Sequence, residues 1–368
     1  MSGRLNALLQ GIFSPETPVY QGREQILSQF ESLGGNCEFG LAQRYSGLEP
    51  LGLFRFTSSE LPELIRGLDT DFADYGRMGD LELFDGPEGH IFCRSRSFSY
   101  TYNTLRLSAA TDFEAALAQE YQKVDYLKRR FLEELREGNK VFVRSGNPSG
   151  DSVGILVQAL RRHGPARLLW VSEAGGAHAA CDARQIADGV VEGFMERSRR
   201  FDIAASVPLR DWIDLCGRAY ALLHGEANPK LEDPEPLDLS NGLPREPVRH
   251  EAGPEGRIVA ARVARDLTTS AMHTFSAWVW LTKDFDGVRV GADFRPIRYG
   301  YQEADPSIRE QWQLVWASCK PRKRDKEVEI LLICETAVNQ ALWSADWRLE
   351  TGPLPSDRAP PAPPQPAR

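Results

Sequence analysis

The strongest periodic signal in the chain lies between Thr111 and Gly138, where Phe113, Leu117, Tyr121, Val124, Leu127, Phe131 and Leu135 recur at helical spacing. Thr111 followed by Glu114 has the form of a capping box, which would satisfy free N–H groups of the first turn, and Gly138 marks the stop. Lys140 to Arg144 then predicts an apolar strand. Val153, Leu156, Val157 and Leu160 predict a helix closed by Gly164, and Arg167 to Val171 a second strand. That succession is a strand-helix-strand unit of parallel type. Two further helices are expected, one carrying Ile186, Val190, Val191 and Phe194, the other Trp212, Leu215, Cys216, Tyr220 and Leu223. Upstream, Gln29 to Ser32 predicts a short strand that runs into Gly34-Gly35, followed by helical character from Cys37 to Tyr45.

Past His224 the pattern changes. Residues 225–255 are rich in Pro, Glu, Asp and Asn, as a linker would be. Beyond them the hydrophobic period becomes two, in Ser276 to Leu281, Gln311 to Ala317 and Val328 to Cys334, which predicts strands. Six of the eight tryptophans fall between Trp278 and Trp347. The expected fold is therefore an α/β N-terminal domain plus an all-β C-terminal sandwich of jelly-roll type. Its boundaries are a lead-in over 1–24, an α/β domain over 25–224, a linker over 225–255, the sandwich over 256–352, and a disordered Pro/Ala tail over 353–368.

A length of 368 residues agrees with two domains, since one core seldom supports so long a chain. The formal net charge of −8, with basic residues scattered among acidic ones, argues against a nucleic-acid partner. No apolar run reaches the roughly 20 residues a membrane-spanning helix needs, and Met1 to Phe13 lacks the order of a signal peptide, so a cytoplasmic location is expected. The six cysteines form no Cys-x-x-Cys pair. Neither a structural metal, a disulfide framework nor a cofactor is expected.

Candidate chemistry concentrates around Cys37. A strand, a glycine turn and a helix start would place its sulfur where backbone N–H groups favour a thiolate, the form a nucleophilic cysteine requires. A small residue packed under the turn is the other reading of the same spacing, and Glu38 next door works against ionisation. His90, in Gly89-His90-Ile91-Phe92, is the candidate base, with a surface turn as its alternative. Gly146 to Ser152 lies at the carboxyl edge of the sheet, where α/β folds tend to bind ligands, or is a plain capping loop. The tryptophans of the period-two region either fill a core or stack on sugar rings.

Two stretches, Ser32-Leu33-Gly34-Gly35-Asn36-Cys37-Glu38-Phe39-Gly40-Leu41-Ala42-Gln43-Arg44 and Glu49-Pro50-Leu51-Gly52-Leu53-Phe54-Arg55-Phe56, resemble a bacterial family of papain-like cysteine peptidases. The likeness extends through Leu168 to Val171 and Trp212 to Cys216, over about residues 25–225. It implies Cys37 as nucleophile; His90 as base, Asn36 or Asn103 as polar support, and Asn36, Arg44 and Arg55 near a peptide substrate complete the candidate site. Relatives carry a Tyr-His-Thr-like stretch where this chain reads Tyr102-Asn103-Thr104, so the family's histidine is missing and catalysis would have to use His90 or be absent. The region 256–352, with Ser344-Ala345-Asp346-Trp347, resembles a carbohydrate-binding module, which implies a glycan partner held by Trp278 and Trp280. The functional expectation is a cysteine-dependent hydrolase or acyl-transfer enzyme with a glycan-binding sandwich, and its alternative is a non-catalytic binding protein of surface-polysaccharide production.

Overall fold

The computed structural model describes residues 22–146, 151–196, 207–225, 236–252, 258–265, 267–269, 271–295, 298–323, 325, 327–335 and 340–364. It is a mixed α/β structure that divides into two compact units, one spanning Arg23–Glu232 and the other within Asp233–Arg368.

The first unit enters through a 3-10 turn, Arg23–Gln29, and continues as β1 (Phe30–Ser32), α1 (Glu38–Tyr45), β2 (Thr57–Ser58), α2 (Leu61–Asp69), β3 (Leu81–Asp85), β4 (His90–Ser95) and β5 (Thr101–Leu107). Then come α3 (Phe113–Glu137), β6 (Val141–Ser145), α4 (Ser152–Arg161), β7 (Arg167–Glu173), β8 (Ala183–Ala187), β9 (Val190–Met195) and α5 (Leu209–His224). One sheet has the order β1-β6-β7-β9-β8, with β1, β6, β7 and β9 parallel and β8 antiparallel at the edge. Its central strands are buried along nearly their whole length, so they read as continuous apolar runs rather than alternating ones. A second, antiparallel sheet has the order β2-β5-β4-β3. Phe54, Phe72, Tyr100, Phe131 and Phe142 share the core beneath α3.

Two local expectations are corrected here. The cap of α3 is Asp112, whose Oδ1 accepts from the backbone N–H of Glu114 and Ala115, while the Thr111 hydroxyl donates to Leu107 O. The carboxylate sits one residue nearer the helix than the threonine, which places its oxygen over the first turn. Ile186, Val190, Val191 and Phe194 belong to a hairpin of β8 and β9, not to a helix. Asp188-Gly189 between them is a two-residue turn with Gly189 at φ +65°, a conformation that favours glycine.

Among the described residues, the second unit carries the strands β10 (Val248–Ala252), β11 (Ile258–Arg265), β12 (His273–Leu281), β13 (Arg289–Arg295), β14 (Tyr301–Gln302), β15 (Trp312–Cys319), β16 (Glu327–Glu335) and β17 (Gln340–Thr351). They form sheets of order β10-β17-β12-β15-β14 and β11-β16-β13, with antiparallel pairing throughout. Phe275, Ala277, Val279 and Leu281 of β12 meet Val290 and Phe294 of β13 and Ile330 and Leu332 of β16 in one core. Segment 236–252, expected as linker, runs along this unit: Leu239 N–H donates to Leu349 O and β10 pairs with β17. Residues 226–235 of that linker lie outside the described residues.

The tail is likewise corrected. Pro353 and Pro355 are buried, and the Ser356 hydroxyl donates to a Glu350 carboxylate oxygen at 2.6 Å. Poor apolar content prevents such a segment from folding alone, but a preformed sheet supplies the surface it lacks. Residues 365–368 lie outside the described set.

Candidate functional site

The Cys37 turn begins where β1 ends. Leu33 N–H donates to Val143 O at 2.8 Å, after which Gly34 at φ +78° and Gly35 at φ +95° reverse the chain. A Cβ at Gly34 would lie 2.6 Å from Ser59 Oγ, so the turn requires glycine for space as well as for conformation. Asn36 Oδ1 accepts from Glu38 N–H at 3.1 Å and Cys37 is the N-cap residue of α1. Asn36 therefore holds the turn.

The thiol is half-buried, and among the described residues its hydrogen bond goes to Phe56 O at 3.9 Å. Burial pushes its pKa up, and the opposing pull of Arg44 is the smaller effect. Desolvation at this site thus works against the expected thiolate and outweighs the local positive potential. Glu38 is also pushed up by burial, against a hydrogen bond donated by Trp212 Nε1 at 3.1 Å. Arg44 Nε and Arg55 Nη1 share the Glu49 carboxylate at 2.9 and 2.6 Å, and both guanidinium groups lie over the Phe56 ring. Arg55 further donates to Gly40 O and Leu48 O, so its expected role at a substrate is taken up by the fold.

His90 is not brought to Cys37. It opens β4 opposite Leu107, whereas Thr57, which follows the Phe56 carbonyl at the thiol, pairs with Tyr102. Tyr102 faces Cys93, three residues along β4 from His90 past a bulge in β5, so His90 stands about 10 Å along the sheet and two strands across from Thr57. His90 Nδ1 is buried without a hydrogen-bond partner among the described residues. Asn103 Oδ1 accepts from Leu105 N–H at 2.7 Å, within its own strand. The remaining imidazoles are engaged elsewhere: His163 with Leu68 O, His224 with Tyr220 O, His250 with Ser344, His273 with Thr268 O, and His178 stacked on Phe194. Among the described residues, no imidazole is therefore shown bonded to the Cys37 thiol, although a thiol nucleophile normally relies on an adjacent base.

Two buried ionisable groups beside the turn escaped the sequence reading. Arg144 donates to Leu33 O, Ser59 Oγ and Ser59 O at 3.0, 2.9 and 2.7 Å, tying the end of β6 to the turn. Glu31 lies inside β1 with Oε1 unpartnered among the described residues, and burial, reinforced by Glu134, pushes its pKa up to about 8. Each is a charged residue within a buried strand, which is the signal that could have found them. Residues 147–150 of the loop expected at the sheet edge lie outside the described residues.

In the second unit, Trp280 stands directly opposite Trp312 on β15 and opposite Trp343 on β17. All three are half-buried and point away from the core that takes Val279 and Leu281. The rings of Trp280 and Trp312 meet edge to face with centroids 5.6 Å apart. Trp278 shares this face, and its Nε1 is buried without an acceptor among the described residues. Trp347 faces inward instead and is fully buried. A register shift in the β12–β17 ladder, with Asp346 at φ +45°, changes which face the odd-numbered residues of β17 occupy. Beside Trp343 lies a cavity of about 520 Å³ lined by Arg245, Glu246, Asp346 and the C-terminal segment.

Among the described residues no cluster of His, Cys, Asp and Glu is arranged to hold a metal ion, and no helix is long and apolar enough to cross a membrane. No protein-family model matches the chain, and no curated protein matches it. Two solved structures show slight similarity. The EclA C-terminal domain, a sugar-binding protein, is 11% identical with a TM-score of 0.24, over 34% of this chain and 88% of its own. The CBM22-1–GH10 modules of a Clostridium thermocellum endo-1,4-β-D-xylanase, complexed with xylohexaose, are 8% identical with a TM-score of 0.20, over 31% of this chain and 26% of theirs. Both scores fall below the level at which a shared fold can be argued.

Proposed function

We propose that this is a glycan-binding protein, in which the outer face of the five-stranded sheet stacks on sugar rings and the first unit keeps a cysteine turn without thiol chemistry. The observation that carries the reading is the row Trp312-Trp280-Trp343, in register across three adjacent strands and half exposed. A pyranose ring presents C–H groups on its faces and hydroxyls at its edge. The electron-rich face of an indole attracts the former, while a polar rim serves the latter. Two interstrand spacings give a platform about 10 Å long, roughly the length of two linked sugars. Glu246 stands at the Trp343 end as a partner for hydroxyls, beside the Arg245–Asp346 ion pair. Against hydrolysis stand the raised thiol pKa and the distance of His90 from the turn.

Titration of the intrinsic tryptophan fluorescence of the full chain with a panel of neutral and acidic oligosaccharides tests the proposal. The expected result is a saturable change with one class of sugar, weakened about tenfold or more by Trp280→Ala or Trp343→Ala and left unchanged by Cys37→Ser. A panel that gives no saturable change, or binding indifferent to both tryptophan substitutions, overturns it.

A further inference from the structure

The tail does not simply end beside the tryptophan row; it crosses it. Ser356 is fixed to Glu350 through both its hydroxyl and its backbone N–H, at 2.6 and 3.3 Å. Arg358, with 6% of its side chain exposed, donates to Asp346 O at 3.0 Å and places Nε 3.1 Å from an Asp346 carboxylate oxygen. Both anchors are on β17. Four residues later, Ala362 O accepts a hydrogen bond from Trp312 Nε1 at 3.1 Å, and Trp312 is on β15, two strands away. Between these points Ala359, Pro361 and Ala362 line the same cavity as Trp343. The segment reads Ala359-Pro360-Pro361-Ala362-Pro363-Pro364, a composition that favours the polyproline II helix, whose carbonyls have no internal partners. Four residues in that form reach about 12 Å, enough to span the roughly 10 Å of two interstrand spacings.

We infer that residues 359–364 are a polyproline-type ligand held in cis on the aromatic face, a strap that competes with sugar for the same tryptophans. The inference rests on the glycan reading for its competitor, but not for the contact itself. Prolines against indole rings, with an indole N–H donating to a ligand carbonyl, are the means by which aromatic grooves take Pro-rich peptides. The anchors at Ser356 and Arg358 keep the segment at high local concentration, so a weak contact suffices to cover the face. When the strap lies down, Trp312 has no free N–H for a sugar hydroxyl.

Two variants of the full chain test this: one ending at Arg358, and one carrying Pro360→Ser, Pro361→Ser, Pro363→Ser and Pro364→Ser. Acrylamide quenching of tryptophan emission reports coverage without any sugar. Both variants are expected to quench more readily than the parent, and a synthetic peptide of residues 359–368 is expected to reverse this saturably in the truncated protein. Glycan affinity is expected to rise roughly tenfold on truncation, the factor for a covered form that outnumbers the open one about ten to one, and the peptide is expected to compete. Unchanged quenching in both variants, with no binding of the peptide, overturns the inference. If the peptide binds and quenching rises while no sugar binds to either protein, the glycan reading falls and the strap stands. If sugar binds equally well with and without the tail, the competition is refuted and the glycan reading survives.

Discussion

Glu31 shows how one side chain can set a pH dependence that has nothing to do with catalysis. Its carboxyl is buried in β1 with Oε1 unpartnered among the described residues, and desolvation, with Glu134 adding to it, pushes the pKa to about 8. Between the ordinary carboxylate range and that value the folded chain holds a proton that the unfolded chain releases. Stability contributed by the neutral acid is therefore complete at low pH and is lost as pH rises through about 8. Glu31→Gln keeps the shape and removes the titration. Urea unfolding should show it more stable than the parent by on the order of 5 kcal/mol above that pH, with the difference shrinking to little near pH 5. A variant that tracks the parent at both pH values would assign the slope to another group. The same desolvation acts on Cys37, where a glycine turn and helix start favour a thiolate and burial pushes the pKa up.

At the scale of elements, ends are set by single hydrogen bonds. The α3 N-terminus depends on Asp112, whose oxygen serves the N–H groups of Glu114 and Ala115. Asp112→Ala should cost about 1 kcal/mol in denaturant unfolding, and Thr111→Ala less than about 0.5, since Thr111 bonds backward to Leu107 O. The reverse order would restore the threonine as cap. The β8–β9 hairpin makes a related point: its short apolar run is expected as a helix, and the Asp188-Gly189 turn folds it into two strands instead.

At the scale of the molecule, each unit has a core of its own residues, with Phe54 and Phe131 in one and Phe275 and Trp347 in the other. Residues 233–368 expressed alone are therefore expected to give a cooperative thermal transition, followed by far-UV circular dichroism or calorimetry. A broad, non-cooperative melt with ready proteolysis would show that this segment needs the rest of the chain. The strap is part of the same unit, so the isolated segment should also retain the quenching behaviour of the full chain.

Local pattern was enough to mark α3, the β6-α4-β7 unit, the glycine turn before Cys37 and the alternation of Trp278, Val279 and Trp280, because each depends on neighbours within a few residues. Which side of an alternating strand faces the core depends on pairing across long separations. Trp343 and Trp347 have the same parity, yet the register shift near Asp346 sends one outward and the other inward. The placement of His90, about 10 Å along the sheet and two strands across from the residue beside the cysteine turn, likewise follows from the β4–β5–β2 register and not from its order in the chain. Whether Cys37 is a thiolate turns on how much water the fold removes, and whether a Pro-rich tail is ordered turns on whether a sheet is there to receive it. Those quantities belong to the assembled molecule, since desolvation and surface complementarity exist only once distant segments have met.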